Sequence, residues 1–126
     1  MDKINKKILL VEDDKNFLWI LEQGFNSNGF STIHALNAED GLVLAGKEKP
    51  DLILIDIKLP QMNGIEMAKK IKEKGINSKM VFLTGFDDPE HISQAIEAVS
   101  GTDYIVKSDV NINQIVSLVK EKLSIK

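Results

Sequence analysis

Four short apolar runs punctuate the chain: Ile8-Leu9-Leu10-Val11, Leu52-Ile53-Leu54-Ile55, Met80-Val81-Phe82-Leu83 and Tyr104-Ile105-Val106. Runs this short and continuous suit strands covered on both faces. A weaker fifth run, Phe30 to Ala35, mixes Ser31, Thr32 and His34 with Ile33 and reads as an edge strand. Helical spacing fills the intervals. Phe17, Ile20, Leu21, Gly24 and Phe25 share one face behind a cap at Asp13 or Asp14. Asn37 with Asp40, and Asn63 with Glu66, resemble capping boxes before a second and third helix. Asp88-Pro89 opens a fourth, with Ile92, Ala95, Ile96 and Val99 on its apolar face and Gly101 at its end. Ile112, Ile115, Val116, Val119 and Leu123 form the stripe of a fifth. Five strand–helix repeats predict an α/β fold, a doubly wound five-stranded parallel sheet with right-handed crossovers and helices on both faces.

Composition narrows the class. At 126 residues, with no proline-, glycine- or serine-rich divider, the chain is expected to form one domain over residues 1–126. It has no cysteine, which excludes disulfides, iron–sulfur clusters and thiolate-zinc sites. No apolar stretch approaches a membrane span, and Ile8–Val11 is too short for a signal-peptide core. A soluble, cytoplasmic domain with no membrane partner is expected. The net charge is −3 and every basic residue is lysine. Without arginine, the preferred reader of guanine edges and phosphate pairs, direct nucleic-acid binding is not expected.

Parallel α/β sheets bind ligands beyond the carboxyl ends of their strands. The residues there carry chemistry: Glu12, Asp13 and Asp14 after the first run, Asp56 after the third, Thr84 after the fourth, Lys107 after the fifth. Two carboxylates about 4 Å apart repel by roughly 4 kcal/mol at an effective dielectric near 20. Lys107 alone offsets too little of a rim that crowds three or more acids. A hard divalent ion is the natural remedy, and Mg²⁺ needs few protein oxygens because it keeps its waters. Such a site would attract a phosphoryl group, and a neighbouring carboxylate could accept it as an acyl phosphate.

These residues, with Asp51 to Pro60, Asn63-Gly64, Phe82-Leu83-Thr84-Gly85 and Asp103 to Lys107, resemble the receiver domain of bacterial response regulators across essentially the whole chain. The resemblance implies strand order 2-1-3-4-5, the order of CheY. It implies that Asp56 accepts the phosphoryl group and that Mg²⁺ is held by Glu12, Asp13, Asp56 and the backbone carbonyl of Lys58. Thr84 would be the switch hydroxyl, Tyr104 the aromatic that moves with it, and Lys107 the phosphoryl-oxygen partner. Asp14 falls outside the acidic pair and reads as a helix cap. The implied partners are a sensor histidine kinase or phosphotransfer protein, and a downstream target docking on the face of the fourth helix, fifth strand and fifth helix. The implied chemistry is self-catalysed phosphoryl acceptance with slow autodephosphorylation in a phosphorelay, not a turnover enzyme.

Two positions depart from the family pattern. Ser108 replaces the usual proline after the lysine. A cis bond there would cost about 3 kcal/mol, so a trans Lys107–Ser108 bond and an altered fifth loop are expected. Gly85 stands where alanine is common, which widens access to Asp56. Three other functions compete. An aspartyl phosphatase of the haloacid dehalogenase type needs an acid two residues after its nucleophile, where Lys58 stands. A flavodoxin-like binder needs a phosphate loop that Glu12-Asp13-Asp14 would repel. A receiver-shaped interaction module without phosphorylation draws support from Ser108 alone. His34 and His91 are assigned no role, Trp19 reads as packing or partial exposure, Met62, Met67 and Met80 as core filler, and Lys69 to Lys74 as a solvated face.

Overall fold

The computed structural model describes residues 4–85, 103–107 and 111–125. The fourth helix expected after Asp88-Pro89, His91 and the Lys107–Ser108 bond lie outside the described residues.

Five parallel strands form one sheet: β1 (Lys7–Val11), β2 (Ser31–Ala35), β3 (Leu52–Asp56), β4 (Lys79–Thr84) and β5 (Asp103–Val106). Their spatial order is β2-β1-β3-β4-β5, with the reversal of direction of winding at β1 and β3. β1 from Ile8 and all of β3 are buried, whereas β2, at the edge, is buried only at Ala35. The continuous and the mixed runs thus sort into interior and edge.

Alternation along the strands divides the core in two. Leu9, Val11, Ile53, Ile55 and Phe82 point to one face, with Met67, Ala68 and Ile71 of α3 (Gly64–Glu73) and Ala38 and Ala45 of α2 (Ala38–Glu48). Ile8, Leu10, Leu52, Leu54, Val81 and Ile105 point to the other. There they meet Leu18, Leu21 and Phe25 of α1 (Lys15–Ser27) and Ile115, Val116 and Val119 of the C-terminal helix (Ile112–Lys122). Each fully buried aliphatic side chain stabilises by about 1.5–3 kcal/mol, so the two layers hold both faces of β1 and β3, while β2 at the edge stays largely open.

Helix ends follow local chemistry. Asp14, not Asp13, caps α1, its carboxylate accepting the Asn16 and Phe17 N–H groups at 3.0 and 3.2 Å. Asn37 and Asn63 cap α2 and α3 through the N–H of Asp40 and Glu66. Lys49 closes α2 in the left-handed region at φ 47°, just before Pro50, and Gly75 follows α3 at φ 72°. One expectation needs correction. Ile20 is exposed, and Leu18 takes the buried place beside Leu21 and Phe25. Gly24 lies on the flank of that stripe because Ile112 comes down on it; a Cβ there would sit 2.2 Å from Ile112 Cγ1.

Candidate functional site: an acidic rim with one lysine

The pairing register brings the chemistry to one level. Val11 pairs with Ile55, Asp56 with Leu83, and Thr84 with Val106. Glu12 and Lys107 therefore emerge one residue beyond their strands, beside Asp56 and Thr84 at the ends of theirs. Glu12, Asp56 and Thr84 are all buried, Asp56 with 5 % of its surface exposed. Asp13 is exposed at the mouth, and Tyr104, 43 % exposed, stands at the side on β5.

Each buried carboxylate is tied by both oxygens. Glu12 Oε2 accepts the Asp14 N–H at 3.0 Å, and Oε1 accepts a hydrogen bond from Lys107 Nζ. Asp56 Oδ1 accepts the Lys58 N–H at 3.2 Å, and Oδ2 accepts Lys107 Nζ at 3.4 Å. Lys107 thus bridges two acids that are 44 positions apart. The loop after β3 is pinned by the Gly64 N–H, which donates to the Ile57 carbonyl at 2.9 Å. Gly64 is required there, since a Cβ would lie 2.3 Å from the Asp56 carbonyl oxygen.

Burial dominates the electrostatics. It pushes the Glu12 carboxyl up from 4.5 to about 7, against the pull of Lys107 and the Asp14 N–H, with the Asp56 charge adding to the rise. Burial also pulls the Lys107 ammonium down, but its bond to Glu12 and the charges of Asp56 and Glu12 outweigh that, and the net shift is upward. One oxygen from each of Glu12, Asp13 and Asp56 lies within 4.8 Å of the others. Three carboxylates face one ammonium, and every donor is oxygen. That donor set fits a hard cation such as Mg²⁺ and lacks the nitrogen or sulfur ligands that zinc favours.

Sequence reading therefore placed Glu12, Asp13, Asp56, Thr84 and Lys107 on the rim where the structure has them, and Asp14 in its capping role. Phe17, expected only on the apolar face of the first helix, also reaches the rim: its ring lies 4.8 Å from Lys107 Nζ. Ninety positions separate the two, and no local pattern links them.

A family model for the response regulator receiver domain matches residues 8–120. Sporulation initiation phosphotransferase F of Bacillus subtilis is 33 % identical over 123 residues, 98 % of each chain. The alkaline phosphatase synthesis transcriptional regulatory protein PhoP of the same organism is 33 % identical over 104 residues, and the chain spans 43 % of its length. A CheY-like receiver domain protein from Methanospirillum hungatei superposes with a TM-score of 0.86 at 33 % identity, over 94 % of both chains. The chain belongs to the response regulator receiver domain family. Domains of this family are the receivers of two-component response regulators, a class consistent with phosphorelay signalling. Among the described residues no helix is long and apolar enough to cross a membrane.

Proposed function

We propose that the chain, residues 1–126 as a single receiver unit, takes a phosphoryl group onto Asp56 in a Mg²⁺-dependent phosphorelay. The observation that carries this is the setting of Asp56: buried at a strand end, bonded to Lys107, and within 4.8 Å of Glu12 and Asp13 oxygens. A carboxylate oxygen of Asp56 attacks phosphorus as the bond to the donor breaks, and an acyl phosphate forms. The Lys58 N–H at Oδ1 holds the carboxylate's orientation. Mg²⁺ held by Glu12, Asp13, Asp56 and the Lys58 carbonyl would neutralise charge on the phosphoryl oxygens. Lys107 is the protein's own cation for the same task.

The donor is a phosphohistidine on a sensor kinase or phosphotransfer protein, a reading supported by the likeness to the B. subtilis phosphotransferase. Output follows from the added charge: Thr84 turns to the phosphoryl group and Tyr104 follows inward. The half-exposed Tyr104 still has surface to bury in doing so. A cytoplasmic target protein would read the change on the face that includes β5 and the C-terminal helix. Water slowly removes the group.

The test is incubation with Mg²⁺ and acetyl phosphate followed by intact mass. A phosphoryl-sized gain that disappears in Asp56→Asn supports the switch. No gain under any condition supports the inert interaction module, and turnover of a generic phosphomonoester would instead make the protein a hydrolase.

A further inference from the structure

Lys107 has a third neighbour besides its two carboxylates. The Phe17 ring centroid lies 4.8 Å from Nζ, inside the ~6 Å range over which an aromatic face attracts an ammonium. The ring is set from both ends. Its backbone N–H donates to Asp14 Oδ1, Asp14 in turn donates its own N–H to Glu12 Oε2, and Glu12 Oε1 holds Lys107. The contacts close a circuit through Glu12, Asp14, Phe17 and Lys107. The half-buried ring also packs on the core that contains Leu18 and Leu21.

This placement matters once the carboxylates are engaged elsewhere. The oxygens that grip Lys107 belong to Glu12 and Asp56, two of the three groups that would face a divalent cation. A cation there weakens their hold and repels the ammonium, and a lysine stem is flexible enough to swing into water. The attraction of a ring face does not depend on carboxylate charge.

We infer that Phe17 is a positioning residue whose ring keeps the Lys107 ammonium over Asp56 while Glu12 and Asp56 are occupied by the cation, so that it meets the incoming phosphoryl oxygens. This rests on the function proposed above. Leucine at position 17 would fill the same core space without the attraction, so the effect belongs to the π face and not to bulk.

The experiment replaces Phe17 in the full chain, site-specifically, with mono-, di- and trifluorophenylalanine, which withdraw charge from the ring face and keep its shape. Phosphorylation by acetyl phosphate at saturating Mg²⁺ is followed by intact mass. The rate should fall stepwise, by about fivefold at the trifluoro ring. Phe17→Trp should match or exceed the wild type, Phe17→Leu should match the trifluoro ring, and in a Lys107→Met background the series should be flat. Equal rates along the series, or the same slope without Lys107, overturn the inference. A second readout needs no phosphoryl group. The Lys107 ε-methylene protons should carry an upfield ring-current shift that survives Mg²⁺ saturation and vanishes in Phe17→Leu. Loss of that shift on adding Mg²⁺ overturns the inference even if phosphorylation proceeds. Retention of it in a wild type that takes no phosphoryl group would locate the failure in the proposed function instead.

Discussion

Lys107→Met keeps an unbranched side chain of similar reach and removes the cation that bridges Glu12 and Asp56. Their oxygens lie within 4.8 Å of each other, and two unit charges at that distance or less repel by at least about 3.5 kcal/mol at an effective dielectric of 20. In the wild type Glu12 already sits at about 7 although Lys107 pulls it down. An acid held above its ordinary 4.5 binds protons more tightly folded than unfolded, so the fold is most stable below 4.5. It loses about 3 kcal/mol as pH rises from there to about 7. Without Lys107 the upper end of that window moves to higher pH, and the variant goes on losing stability where the wild type has levelled off. The Lys107 ammonium, raised above 10.5 by its bond to Glu12 and the charges of Asp56 and Glu12, stays charged throughout this range, so any change in its worth comes from the carboxylates. The cost of the substitution should therefore be about 1 kcal/mol near pH 5, where Glu12 is protonated in both proteins. It should reach about 3 kcal/mol near pH 8. Urea unfolding across that range measures it. Mg²⁺ should restore more stability to the variant than to the wild type, because it replaces the missing charge. A cost that is the same at both pH values and indifferent to Mg²⁺ would refute the electrostatic account of this rim.

Four simpler substitutions probe the framework. Gly64→Ala must displace backbone, since the new Cβ would lie 2.3 Å from the Asp56 carbonyl oxygen. A loss of about 2 kcal/mol in urea unfolding is expected, with slower phosphorylation. Gly46→Ala, in α2 with no described atom within 4 Å of the new Cβ, should instead gain about 0.5–1 kcal/mol. Asp14→Ala removes the cap of α1 and should cost about 1 kcal/mol in thermal unfolding. Gly85→Ala adds a methyl that meets no described atom within 4 Å. It should lengthen the life of the acyl phosphate by narrowing access without repacking, and an unchanged lifetime in a mass-based decay would remove that idea.

What the sequence made legible, and what it hid, has a physical pattern. The ends of apolar runs are sharp, so Glu12, Asp56, Thr84 and Lys107 could be placed at strand ends from the chain alone. The buried stripe of α1 was harder because residues 17 to 21 are all apolar. Spacing could not choose between Leu18 and Ile20, and the choice came from where the sheet lies. Caps were half legible. Asn37 and Asn63 do accept the expected N–H, but the Asp40 carboxylate accepts from the Asn37 amide side chain instead of completing a box. Among the described residues the full reciprocal box is at Asn111 and Gln114, whose side chains each accept the other's backbone N–H. The contact of Phe17 with Lys107 leaves no local trace at all.

The site is therefore a property of strand register more than of its loops. Val11 opposite Ile55 puts Glu12 level with Asp56, and Thr84 opposite Val106 puts Lys107 one step further out, within reach of both acids. A slip of one residue in β3 would turn its buried faces over and swing Asp56 away from Lys107. Burial alone does not oppose that slip, since Ile53 and Ile55 are buried on one face and Leu52 and Leu54 on the other; the fit of those shapes to their own layers and the polar Asp56 at the strand end do. The apolar side chains of β1 and β3 fix the spacing of the rim carboxylates, and that spacing sets the charge which a cation and a phosphoryl group would answer.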